Sequence, residues 1–366
     1  MPISSVDTIP LAFRHTKEQL VQPFRFGQWN RLAIVGLLAG ELGSSGGCNG
    51  PSNFNLPQRT DGSQHLLDPG LWSTDPALFA ALIAVLIFAG LVLGILLMYV
   101  SSVMRFILFD SVVAKECHIR QGWSRRQSPG LKYFLFKLLY LLTTVGGIVV
   151  LVGIPAAFAF AVGWLKAPKE HLAPLILGGI VLFFLLLGFV LALAIIYVLT
   201  KDFVVPQMAL ENIGVTEGWR RLWAMMKAEK GGYAGYLGMK IVMAIGAAVM
   251  VGVAALILGL IIAIPTIGLS IVAVLTGKSA GLTWNAYTIT LAVVVGSVLL
   301  AGFLYLVSLI SVPVIVFFPA YSIYFFAARY PALAAVLYPA PPEPAGATVV
   351  PPFEPPPLPP EASPIG

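Results

Sequence analysis

Two carboxylates, Asp110 and Asp202, each stand just beyond a basic residue, Arg105 and Lys201, where a long apolar stretch ends. Ionisable groups at such an edge can pair with one another, complement a helix end, or couple ion movement to a span. In the run Lys201-Asp202-Phe203-Val204-Val205-Pro206 the carboxylate also adjoins a proline that interrupts helical hydrogen bonding. Both carboxylates are expected to form surface ion pairs with the basic residue beside them or to sit as helix-end charges. Asp202 is the first to test for a functional role. Other chemistry is sparse. His15, His65, His118 and His171 fall in different segments, so neither a metal triad nor a nucleophile with its base is visible. Cys48 and Cys117 make no CxxC pair, and neither a P-loop signature nor HExxH occurs. The chain is therefore expected to be no enzyme and to hold no cofactor and no metal.

The elements that must position these residues are long and apolar. Residues 77–104, 138–165, 172–200, 241–277 and 279–328 contain no Asp, Glu, Lys, Arg or His, and each exceeds the roughly 20 residues needed to cross the hydrocarbon core. Of the whole chain 58% is hydrophobic and 10% charged, against about a quarter charged in a soluble domain. The fold class predicted is all-α: a polytopic transmembrane bundle of five long spans plus one short N-terminal membrane helix, with interfacial amphipathic helices and internal repeats. The net charge of +6 resides between spans, where orientation explains it, so nucleic acid is not expected as a partner.

Orientation follows from those basic residues. Arg105 to Lys137 and Lys201 to Lys240 bracket the two Lys/Arg-rich connections, whereas the other connections carry Lys166 and Lys169 or Lys278 alone. The rich segments are assigned to the cytoplasm. Arg14, Lys17, Arg25 and Arg31 place the N-terminus inside too, which requires a short, tilted or half-inserted crossing by residues 24–42. Residues 10–21 are expected to lie on the inner surface with Phe13, Leu20 and Val21 as the apolar face. The domain division reads 1–42, an outer loop at 43–76, a helical domain at 77–330, and a Pro-rich disordered tail at 331–366 that serves as a tether or docks on an aromatic groove of a protein partner. Both termini are then cytoplasmic, with Cys48 outside and Cys117 inside.

A repeat is visible in the same segments. Arg105 is separated from Lys201 by as much as Trp123 is from Trp219, and both tryptophans follow glycine. The unit implied is a helix that crosses inward, turns at Gly-Trp and returns, with a degraded third copy from Tyr305. Trp123 and Trp219 suit the membrane interface. Thr216 is the expected N-cap of a surface helix through Lys227 that presents Trp219, Leu222, Trp223 and Met226 on one side and Arg220 and Arg221 on the other, toward anionic lipid. Small residues at Gly90 and Gly94, at Gly188 and Ala192, and at Ala244, Ala248 and Gly252 are read as packing positions within one bundle, with a homo-oligomer left open.

The runs Lys201-Asp-Phe-Val-Val-Pro-Gln-Met, Glu217-Gly-Trp-Arg-Arg-Leu and Gly232-Tyr-Ala-Gly-Tyr-Leu-Gly-Met-Lys240, with Trp29-Asn-Arg-Leu-Ala33 upstream, resemble the bacterial membrane-domain family named for glycerophosphoryl diester phosphodiesterases. The resemblance spans residues 11–328 and implies membrane architecture alone, because in the enzymes the active site belongs to a separate soluble barrel. No catalytic residue carries over. The reading is a non-enzymatic, multi-pass protein of the bacterial inner membrane that organises lipid or protein partners. Its candidate contacts are Arg105, Asp110, Trp123, Lys201, Asp202, Pro206, Trp219, Arg220 and Arg221. A transporter or facilitator of a small solute or lipid is the alternative.

Overall fold

The computed structural model describes residues 3–41, 76–279 and 286–339. Helix α1 (Thr8–Leu20) and α2 (Phe26–Ala39) precede α3 (Pro76–Val113) and α4 (Ile119–Ala161). Helix α5 (Leu172–Leu199) continues through a π-helical turn (Thr200–Val204) into α6 (Val205–Glu211), followed by α7 (Val215–Ala228), α8 (Lys230–Ser279), α9 (Ala286–Ala327) and α10 (Pro331–Leu337). Among the described residues there is no strand, and five helices are long and apolar enough to cross a membrane, as the charge-free stretches predicted.

The long helices divide into two parts. At 50 residues, α8 extends about 75 Å, more than twice the ~30 Å hydrocarbon thickness. Its apolar part, like those of α3, α4 and α5, leaves side chains such as Leu86, Phe158, Phe183 and Ile264 outward and exposed. Lipid tails are as apolar as leucine, so such surface has no reason to collapse on itself. Beyond the apolar parts the same helices enter a packed body whose core holds Phe106, Tyr133, Phe203, Tyr236, Tyr321, Phe325 and Phe326. There α8 and α9 run antiparallel, with Arg329 bonded to Glu229 and Tyr236 stacked on Tyr321 at 5.1 Å between ring centres. Helices α3 and α4 form a second antiparallel pair closed by Gly130 against Val103 and Gly122 against Ile107.

Close approach occurs at other glycines than the small-residue spacing suggested, in the body at Gly130 and between spans at Gly147, which meets Phe189. A Cβ at Gly130 would lie 2.7 Å from Val103 Cγ2 and 3.3 Å from its Cα, whereas Gly90, Gly94, Gly188 and Gly252 have nothing within 4 Å. Gly130→Ala is expected to cost about 1–3 kcal/mol through overpacking, and Gly90→Ala to be close to neutral. Unfolding in detergent titrated with SDS compares the two, and equal effects would contradict the assignment.

Several short elements depart from expectation. On helix α1, Phe13, 66% exposed, and Val21 face away from the packed body, whereas Leu20 is buried in it. The inward face of α1 is polar as well: Gln19 Nε2 donates to the Ser111 carbonyl at 2.9 Å, and His15 Nε2 bonds the Val112 carbonyl at 2.9 Å. These are carbonyls of the last turn of α3, which lack helical partners. Helix α2, at 14 residues, is about 21 Å long and buries Leu32, Ala33, Val35 and Ala39 against its neighbours, so the short membrane helix expected over 24–42 packs on the body along this face. Helix α7 starts at Val215 after Gly214, one residue before the predicted cap Thr216. Leu222 is buried, but Trp223 is 54% exposed, so the predicted apolar face is only partly covered. Gly122-Trp123 and Gly218-Trp219 lie inside α4 and α7 and form no turn. Helix α10 buries Leu333, which carries the packed body past residue 331. Cys117 is buried. The loop with Cys48 and His65, and the tail from residue 340, lie outside the described residues.

Burial, and then the charge of Lys115, lowers the His15 pKa from its ordinary value. The neutral ring donates from Nε2 and accepts the Tyr324 hydroxyl at Nδ1, 3.0 Å away. The unfolded chain therefore takes up the proton at higher pH than the folded one, and stability falls as pH drops below about 6.5. Amide exchange in α1 is expected to accelerate on acidification below that value, and His15→Gln to flatten the dependence. An unchanged profile in the variant would assign the effect to another group.

Candidate functional site

All five charge-free stretches meet a basic residue at the end toward the body: Arg105 follows 77–104, Lys137 precedes 138–165, Lys201 follows 172–200, Lys240 precedes 241–277, and Arg329, paired with Glu229, follows 279–328. Basic residues at this level ordinarily snorkel toward the head groups. Here the first four turn inward, from α3, α4, the π-turn that continues α5, and α8, with Arg105 only 6% and Lys201 8% exposed.

Local structure explains part of this. Pro206 has no N–H to donate in the α-helical register, and the backbone just before it widens into the π-turn, with the Val205 N–H reaching back to the Thr200 carbonyl. Such turns insert a residue and re-aim side chains, often at functional sites. Lys201 and Asp202 both lie in it and are both buried. Trp219 Nε1 donates to Thr200 Oγ1 at 3.0 Å, and Gly218 lets α7 approach Val204, so α7 braces the turn.

Among the described residues two carboxylates answer these four cations. Glu41 lies just past α2, where Gly40 takes a left-handed φ of 79°, a conformation that suits glycine. Its carboxylate accepts from Lys201 Nζ at 2.6 Å and pairs with Arg105. Asp202 accepts the Tyr236 hydroxyl at 2.9 Å and pairs with Lys240. Among the described residues Lys137 has no carboxylate partner. It donates to Ser101 Oγ at 3.0 Å and stands 5.0 Å over the Tyr133 ring. Arg105 and Lys201 thus converge on one carboxylate from equivalent positions of the repeat, and Glu41 comes from outside it.

The expected pairings are corrected accordingly. Asp110 is bonded by Arg126, Nε to Oδ2 and Nη2 to Oδ1, both at 2.7 Å, and not by Arg105. Asp202 is 2% exposed, pairs across helices with Lys240, and is no surface charge. Trp123 is half-buried and edge-on to Tyr99. Arg220 and Arg221 remain on α7, engaged by Glu217 and, for Arg221, Glu211, apart from the inner ring. The ring residues missed from sequence are Glu41, Lys137, Lys240, Tyr133 and Tyr236. Their one signal is that the charged ones adjoin apolar stretches.

Among the described residues these four cations stand with two carboxylates, and buried charge is costly unless offset. The arrangement offers donors to an anion. Among the described residues it presents no nucleophile with a base, and no group of His, Cys, Asp and Glu is placed to hold a metal. Separately, a cleft of about 360 Å³ opens between α3, α4, α6 and α10, lined by Asp110, Glu116, His118, Arg125 and Arg126 among others.

A family model described as a family of unknown function (DUF7544) matches residues 3–336, and the chain belongs to that family. No curated protein and no solved structure matches it. These comparisons give no support to the resemblance to the glycerophosphoryl diester phosphodiesterase membrane domain.

Proposed function

We propose that this family member performs no catalysis and organises anionic lipid, together with protein partners, around its packed body. The observation that carries the reading is the cation each of four long helices turns inward at the first position beyond its charge-free stretch. That position is the head-group level of a bilayer, where lipid phosphates lie and where each nearby Lys or Arg contributes about 1 kcal/mol of attraction. The exposed apolar parts of α3, α4, α5 and α8 supply the surface for the acyl chains. The distribution of Lys and Arg favours the cytoplasmic level, with both termini on that face.

Nanodiscs of mixed phosphatidylglycerol and phosphatidylethanolamine test the proposal. Anionic lipid is expected to be enriched around the protein over its bulk fraction, and equal fractions would refute it. Conduction of an anionic solute or lipid is the second reading, favoured because the ring joins the ends of four spans and Pro206 and Pro319, beside it, each remove a backbone N–H from their helices. Phosphate release from protein-containing liposomes, at a rate above protein-free controls, would establish it in place of the first.

A further inference from the structure

We infer that the Glu41 carboxylate is an internal stand-in for a phosphate group, seated between Arg105 and Lys201, so that phosphate binding and seating of Glu41 exclude one another. The inference rests on the anionic-ligand reading above and adds a competitor built into the chain.

A guanidinium and an ammonium converging on one anion form a donor set suited to phosphate as well as to carboxylate. The seat is made by equivalent positions of two repeats, whereas its present occupant comes from a separate short helix. Phosphate would gain more than Glu41 does, having further oxygens and up to one more negative charge, with Lys240 close enough to Lys201 to be felt. Space decides between joint occupancy and exchange. The cavity beside Arg105 and Lys201, lined also by Pro206, Pro319 and Ser322, measures about 10 Å³, room for about one water. A phosphate cannot enter beside the carboxylate and must replace it. Gly40, in the left-handed region at φ 79°, is the joint about which Glu41 can swing out while α2 stays anchored, for example by Ser308 Oγ donating to the Ala33 carbonyl at 2.6 Å.

The test uses the full chain in phosphatidylcholine nanodiscs, with phosphatidic acid added in one arm and inorganic phosphate in another. Hydrogen exchange is read over residues 36–41, and bound lipid is counted by native mass spectrometry. When phosphatidic acid binds, exchange over 36–41 is expected to rise, and Glu41→Gln is expected to bind the lipid about tenfold more tightly, since an internal occupant lowers apparent affinity by the fraction of vacated seats. A rise with inorganic phosphate alone supports the same seat and identifies free phosphate as its source. Lipid binding with exchange unchanged overturns the stand-in role while leaving the anionic-lipid reading intact. Failure of either anion to bind the wild type or Glu41→Gln removes the reading and the inference together. Should Glu41→Gln not fold, the exchange measurement on the wild-type chain decides.

Discussion

Asp202→Asn is expected to lower the free energy of unfolding by about 3–5 kcal/mol, the range seen when one partner of a buried ion pair is removed. Asp202 is 2% exposed and engages Lys240 from α8 and the Tyr236 hydroxyl. Without the carboxylate, the Lys240 ammonium is left desolvated beside the Tyr236 and Phe318 rings, which offset little of the lost pairing. The cost should come mainly from the stranded charge. Lys240→Met in the Asp202→Asn background is therefore expected to recover most of the stability, and Tyr236→Phe alone to cost about 1 kcal/mol. A surface ion pair of the kind the sequence suggested would give about 0–1 kcal/mol. SDS-titrated unfolding separates the two readings, and a loss under 1 kcal/mol would mean that Asp202 is hydrated in the membrane.

Glu41→Leu is expected to have a comparable effect, about 3–5 kcal/mol, because it leaves Arg105 and Lys201 facing each other without the carboxylate between them. Two controls give the result its meaning. Adding Arg105→Leu and Lys201→Met should restore stability, since an apolar cluster of similar volume replaces the buried charges without their desolvation cost. Anionic lipid should also restore it in the single variant, as a ligand bound only by the folded state adds about 2.7 kcal/mol at a concentration one hundred times its Kd. Zwitterionic lipid should not. Rescue by both lipids alike would show that the ring does not discriminate by charge.

The five long helices were legible because length without charge is a property of a segment alone, and nothing in tertiary structure can cancel it. Arg105, Lys137, Lys201 and Lys240 were legible as boundary markers, but not as neighbours. Their inward aim depends on how four helices cross, and no local period encodes that. The pairing of Asp110 with Arg126 was hidden for the same reason, since Arg105 is nearer in sequence and Arg126 is nearer in space. On α1 the hydrophobic pattern pointed to Phe13, Leu20 and Val21, yet His15 and Gln19 face inward because their partners are backbone carbonyls at the end of α3. Hydrophobicity carries no information about such acceptors. Pro206 beside Asp202 did signal an irregular backbone, and the π-turn is its realisation. The spacing of Gly90 and Gly94 misled, because small residues mark close approach only where another helix arrives.

The most direct test of the central claim, that inward-turned cations hold anionic head groups, is native mass spectrometry of the protein released from nanodiscs containing equal amounts of phosphatidylglycerol and phosphatidylethanolamine, wild type against Lys137→Met. Among the described residues Lys137 has a hydroxyl and a ring as partners and no carboxylate, so its loss strands none of their charges and the variant should remain folded. The account predicts that phosphatidylglycerol is retained in preference by the wild type and that the preference falls in the variant. Equal retention of the two lipids by the wild type, or a preference that Lys137→Met leaves unchanged while the protein stays folded, would contradict it.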